Sequence, residues 1–114
     1  MEGAFEDAVY ISGNIGTISQ QDAEAYWQEV FEAWKIYLDR EAVRHGLWKR
    51  ASAGDQGRQI KAKIDRALRS LELVEQLKVT EEDARDSILE ELDDIINYAV
   101  FMKRIVKGTV ETNV

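Results

Sequence analysis

An all-α bundle is the fold this sequence predicts, and three observations predict it. No Pro occurs in 114 residues, so nothing in the chain interrupts long helices. Apolar residues recur at spacings of three and four over three separate stretches, the repeat of one helix face rather than the alternation of a strand. Ser or Thr with Asp three residues later opens two of those stretches, and Gly closes two of them, as helix caps do.

The elements follow in order. Residues 1–18 hold three Gly and one short apolar cluster, Val9-Tyr10-Ile11, and read as an irregular arm. Ser19, with Asp22 as capping partner, starts a first helix from Gln20 to about His45. Its stripe runs through Ala23, Tyr26, Trp27, Val30, Phe31, Trp34, Tyr37 and Leu38, and Gly46 ends it. Leu47 to Gly57, with Trp48, Gly54 and Gly57 among polar residues, reads as a loop. A second helix spans about Arg58 to Lys78, with Ile60, Ile64, Ala67, Leu68, Leu71 and Val74 on one side. Thr80 and Asp83 cap a third, which runs to Lys107 and stops at Gly108. Three long helices with short connections make an antiparallel bundle domain over 19–108, followed by a frayed tail, 109–114.

Composition excludes several function classes. Without Cys there is no disulfide scaffold, zinc knuckle or thiol nucleophile, and one His, His45, leaves no His-rich metal site. Fifteen basic against 22 acidic residues give a net charge of −7, which argues against a protein that coats nucleic acid. No basic-then-apolar leader and no run of roughly 18–20 apolar residues is present, so a soluble cytoplasmic protein without a membrane partner is expected.

The third helix changes character along its length. Its first half, EEDARDSILEELDD, is strongly acidic, and its second, IINYAVFMKRIV, is apolar on nearly every side. A helix apolar all round must be buried all round, so a homo-oligomer through helix three is expected, with wrapping by the chain itself as the alternative. With Ile88, Leu92, Ile95 and Ala99 facing the core, Glu91 lies roughly 60° off that line and Asp94 roughly 120°. The two carboxylates are i, i+3 neighbours, and a hard cation such as Mg²⁺ would turn their repulsion into ligation. The simpler alternative is an acidic helix start that suits the dipole and solubility. Asn97, the strongly polar residue in the apolar half, needs a hydrogen-bonding partner.

The segment EELDDIINYAVFM resembles the signature helix of the all-α NTP pyrophosphatases, the MazG-like superfamily. Glu91 and Asp94 match that family's Mg²⁺-binding Glu-x-x-Asp pair. Asn97-Tyr98 is closer to a phage-type branch, the nucleotide-modification-associated domain. His45-Gly46-Leu47-Trp48 and Lys61-Ala62-Lys63-Ile64-Asp65-Arg66 resemble that branch's turn and following helix, so the likeness runs from about residue 24 to 105. The turn is one residue short, and Arg44 stands where an acid is frequent. The family's second carboxylate pair is matched in pattern by Glu72-x-x-Glu75. With the inter-helix turn centred near Val79, however, Glu91 and Asp94 lie opposite positions of about 67 and 64, facing Lys61, Asp65, Arg66 and Arg69. Glu29-x-x-Glu32 is the alternative pair. Glu41 sits in line with Trp27, Trp34 and Leu38, where a carboxylate needs a partner or must snorkel. His45 lies on the apolar side near a helix end, the setting of a structural His.

The resemblance implies a Mg²⁺-dependent nucleoside triphosphate pyrophosphohydrolase acting on a (d)NTP or modified nucleotide. Glu91 and Asp94 would hold Mg²⁺ with a third carboxylate from Asp65, Glu72 or Glu75 and activate water. Lys61 and Arg66 would bind phosphate, while Asn97 and Trp48 would read or stack on the base. Four plainer readings stand beside it. Lys61 and Arg66 would only pair with the carboxylates, closing a salt-bridge network. Trp48 would plug the end of the bundle. The fold would serve as a nucleotide-sequestering protein without chemistry, or as an acidic helical module for a protein partner.

Overall fold

A computed structural model describes residues 19–110. The arm assigned to 1–18 and the last four residues of the tail lie outside the described residues. All regular structure within them is helical: α1 (Gln20–Arg44), a 3₁₀ turn (Leu47–Arg50), α2 (Ala53–Glu75) and α3 (Glu81–Lys107). No described helix is long and apolar enough to cross a membrane.

The ends follow their caps. Ser19 accepts a hydrogen bond from the Asp22 N–H and Thr80 from the Asp83 N–H. His45 and Gly46 both adopt left-handed backbone after α1. Gly108 closes α3 in the same conformation, with the Thr109 N–H on the Arg104 carbonyl.

Helix two differs from expectation at both ends. It begins at Ala53, not Arg58, so the expected loop 47–57 is a 3₁₀ turn followed by a helix start. The cause is a reciprocal capping box: the Asp55 N–H donates to Ser52 Oγ, and the Ser52 N–H donates to Asp55 Oδ2, each at 3.0 Å. The Ser52 backbone N–H, with the Arg58 guanidinium, lowers the exposed Asp55 carboxyl to a pKa of about 2. Satisfying these N–H groups outweighs the helix cost of Gly54 and Gly57, roughly 1 kcal/mol each. The helix ends at Glu75, not Lys78, because Leu77 turns left-handed (φ 59°) and the Lys78 N–H reaches back to the Leu73 carbonyl.

Helices α2 and α3 pack side by side along most of their length. Lys63 stands opposite Asp94 and Arg66 opposite Glu91, so they are antiparallel. Ala67 is buried in that seam. Helix α1 meets α3 far less extensively. The Ala33 carbonyl takes a bond from Asn97, Arg40 pairs with Asp94, and Tyr37 packs at a tilt against Phe101. These contact points do not advance steadily along α3, so α1 crosses it obliquely. Fully buried Ala33 lets the backbones approach at the crossing.

The bundle therefore has little dry core. Among the described residues only Ala33, Ala67 and Ala84 are buried apolar residues, and no large side chain is fully buried. Several stripe residues of α1 remain open, including Tyr26 at 70% exposure and Trp34 and Leu38 at 43%.

Candidate functional site

The crossing of α1 over α3 and the α2–α3 seam converge on one residue, Asp94, which is 6% exposed. A carboxylate there must be paired, and it is paired twice. Lys63 Nζ of α2 lies 2.9 Å from Oδ2, and Arg40 of α1 donates to Oδ1. One turn earlier, Glu91 accepts from Arg66 Nε at 2.9 Å and Nη2 at 3.4 Å, with Lys63 Nζ 3.5 Å away. Lys63 thus bridges both acids.

The electrostatics follow from these contacts. Burial pushes the Asp94 carboxyl up, but the bonds from Lys63 and Arg40 outweigh it and hold its pKa below the ordinary value. The Arg66 bond lowers Glu91 against a smaller burial penalty. Burial lowers Lys63, but its bond to Asp94 together with the charges of Asp94 and Glu91 more than reverses this, so the ammonium is held charged above its usual range. Asp93 goes the other way: burial, then Glu32 of α1, then Asp94 raise its carboxyl.

A cleft of about 260 Å³ opens beside this cluster, between the C-terminal half of α1, the 3₁₀ turn and the start of α2. Tyr37, Trp48, Tyr98 and Phe101 form its aromatic wall, and Arg40 belongs to both cleft and cluster. Trp48 stacks flat on Phe101, with centroids 4.2 Å apart and planes 8° apart, and the Arg104 guanidinium lies 5.5 Å from its ring centre. Gln56, 2% exposed, donates to the Trp48 carbonyl at 3.1 Å and ties the turn to α2. Trp48 Nε1 is a buried donor without a protein partner.

The sequence-predicted residues separate clearly. Glu91, Asp94 and Arg66 come together as expected. Lys61 does not join them: it is exposed and pairs with Asp65 one turn along α2, at 3.4 Å. Its expected place is taken by Lys63, which lies on the apolar line of α2 between Ile60 and Ala67. Arg69 is exposed on α2 without an ion pair to either acid. Glu72 and Glu75 are exposed and, in the α2–α3 register, lie level with about Arg85 and Glu82, well below Glu91. Asn97 finds its partner in the Ala33 carbonyl, at 2.9 Å, and its amide is spent on holding α1. Trp48 is half-buried against Phe101 and also lines the cleft. Glu41 also lines the cleft, and His45 is exposed rather than on an apolar side. Lys63 and Arg40 were missed. The signal for Lys63 was a charge on an apolar stripe; Arg40 becomes a partner only through the crossing of α1.

The apolar half of α3 is covered in part by the chain itself: apart from Asn97 none of residues 95–106 is buried. Phe101 sits between Tyr37 and Trp48, and Met102 lies against Gly57 of α2. Val100 and Val106 stay open.

In this arrangement both acids are already paired with side-chain cations, Asp94 with Arg40 and Lys63 and Glu91 with Arg66 and Lys63. No group of three or more acidic or His side chains gathers among the described residues. The two acids that do meet face three cations, so the cluster already carries surplus positive charge. Asp65, Glu72 and Glu75 point elsewhere or lie too far along the helix. Comparison with protein-family models, curated proteins and solved structures finds no match to this chain.

Proposed function

We propose that this protein binds a nucleoside polyphosphate or modified nucleotide in the aromatic cleft, with its phosphates held by Arg40, Lys63 and Arg66 and without a metal ion. One observation carries the reading: three cations from two helices converge on two carboxylates at the edge of that cleft. Guanidinium and ammonium groups bind phosphate oxygens as they bind carboxylates, so a phosphate chain competes directly with Glu91 and Asp94. Tyr37, Trp48 and Tyr98 supply apolar surface for a base. The resemblance of EELDDIINYAVFM to nucleotide-handling proteins supports the same ligand class.

Calorimetry with the common NTPs and dNTPs, in Mg²⁺ and in EDTA, tests the reading. Binding in EDTA that weakens about tenfold in Arg66→Ala supports it. Arg66 is largely exposed, so that change spares the fold. Absence of binding by every nucleotide at millimolar concentration overturns it.

The i, i+3 adjacency of Glu91 and Asp94 favours a second reading, Mg²⁺-dependent pyrophosphohydrolysis of the bound nucleotide. Pyrophosphate release that requires Mg²⁺ and disappears in Glu91→Gln would replace the binding-only reading.

A further inference from the structure

Charge is distributed unevenly between the two ends of the bundle. At the α2–α3 turn, Glu72, Glu75, Glu81, Glu82, Asp83 and Asp86 are all exposed, with Lys78 and Arg85 among them. The other end is built from the close of α1, the 3₁₀ turn and the close of α3, joined by the Trp48–Phe101 stack. It carries Arg44, Lys49, Arg50, Lys103, Arg104 and Lys107. None of these six makes an ion pair among the described residues. Of the acids lining the cleft there, Asp55 is held by its capping box and by Arg58, which leaves Glu41. Helix α3 is 27 residues long, so the two ends lie about 40 Å apart. The field of an exposed charge fades over about 8 Å at physiological salt. The net charge of −7 therefore does not describe the basic end.

Helix dipoles account for part of this charge. Arg44, Arg104 and Lys107 lie in the last turns of α1 and α3, where cations suit the carbonyl end of a helix. Lys49 and Arg50 have no such reason. They come just ahead of the N-terminus of α2 at Ala53, the end that attracts anions and opposes cations. The aromatic wall says which anion fits. Arg44 lines the cleft with Tyr37, Trp48, Tyr98 and Phe101, and Arg104 lies over the Trp48 ring. Cations interleaved with aromatic rings suit a single strand of nucleic acid, with phosphates along the charges and an unstacked base against the rings. A duplex keeps its bases stacked inside and leaves the cleft empty. Val43, Leu47 and Val106 are also open at this end, as on proteins that touch an anionic bilayer. A bilayer, however, meets only what protrudes, and the cleft is recessed.

We propose that the basic end binds single-stranded nucleic acid, with one base in the mouth of the aromatic cleft and the flanking phosphates on Arg44, Lys49, Arg50 and Lys103. This binding rests on the cleft accepting a base, as in the nucleotide reading. It adds a strand outside the cleft, held by cations other than Arg40, Lys63 and Arg66.

Fluorescence anisotropy of the full chain tests it, with labelled oligothymidylate and oligouridylate of about a dozen nucleotides and a labelled mononucleotide beside them. Micromolar binding of the strand is expected at low salt. With about three phosphates neutralised, raising salt from 50 to 200 mM should weaken it about 20-fold. Arg50→Glu with Lys103→Glu, both exposed, should weaken strand binding at least tenfold and leave the mononucleotide unchanged. Arg44→Glu, on another helix, should act in the same direction if that pair fails to fold. Lys78→Glu with Arg85→Glu makes the same change in net charge at the acidic end and should leave strand binding within twofold. Equal weakening by the two double variants would show net charge at work rather than the basic end, and overturns the proposal. So does equal affinity for a duplex of the same length, or binding to phosphatidylserine vesicles in place of the strand. A strand that fails to bind while the mononucleotide binds overturns this proposal alone, and failure of both ligands removes both readings.

Discussion

The two seams of this molecule are held in different ways. Helices α2 and α3 share a long antiparallel contact with Ala67 at its centre and apolar residues along its length. Helix α1 meets α3 over a short crossing fixed by one amide bond, one ion pair and aromatic contacts. The long seam sums many weak contacts and tolerates the loss of any one. The short one rests on a few directional contacts, so it is the seam a ligand or a pH change can move. Asp94 belongs to both, through Lys63 and Arg40.

That shared position sets the largest expected effect. Asp94→Ala leaves Lys63 and Arg40 without their main acceptor, a loss of about 3 kcal/mol for a mostly buried pair. Urea denaturation should show a cost larger than for any single change confined to one seam. A loss below about 1 kcal/mol, the range of exposed pairs, would mean that the two seams are not joined there.

Next come the two small residues that let the helices approach. Ala33→Leu and Ala67→Leu each overfill a closed contact, at about 2 kcal/mol. The seams should respond differently. Ala67→Leu should lower the unfolding midpoint of the whole molecule. Ala33→Leu should expose the connection between α1 and α2 to limited proteolysis while α2 and α3 stay helical. Equal protease resistance in both variants would erase the distinction between the seams.

The smallest effect is in pH dependence, where the crossing contains opposed groups. Glu91 and Asp94 have lowered pKa values. Their stabilisation is complete above the ordinary carboxylate range, around pH 4, and is lost as pH falls through the lowered folded values. Asp93 has a raised pKa, so the folded state takes up its proton first. Stability therefore rises slightly as pH falls through that raised value, when the burial cost of its charge and then the repulsion with Glu32 and Asp94 are relieved. Melting midpoints should rise modestly on mild acidification before the acid collapse. Asp93→Asn should abolish the rise and leave the collapse.

Much of the fold was legible in advance because it depends on local chemistry. The caps at Ser19 and Thr80 and the stop at Gly108 need only their own neighbours. Ser52 with Asp55 repeats the same spacing, and its capping box outweighs the loop propensity of Gly54 and Gly57. The pairing of Arg66 with Glu91 and the demand of Asn97 for a partner were readable from helix phase and polarity. The identity of that partner, a backbone carbonyl 64 residues away, was not. Lys61 and Lys63 differ by two residues, about 200° of helix rotation, which separates a solvated lysine from the bridge between two acids.

By itself, the sequence determined three helices, most of their ends and the acidic pair on α3, because hydrogen-bonded caps and the 3.6-residue repeat act over a few residues. Only the tertiary structure decided that α1 crosses α3 rather than lying along it. It also decided that Lys63 and Arg40, rather than Lys61, meet Asp94, and that Phe101 of α3 packs between Tyr37 and Trp48. Periodicity says which face of a helix turns inward. It does not say which helix lies there, at what angle or at what height, and burial of a charge depends on all three.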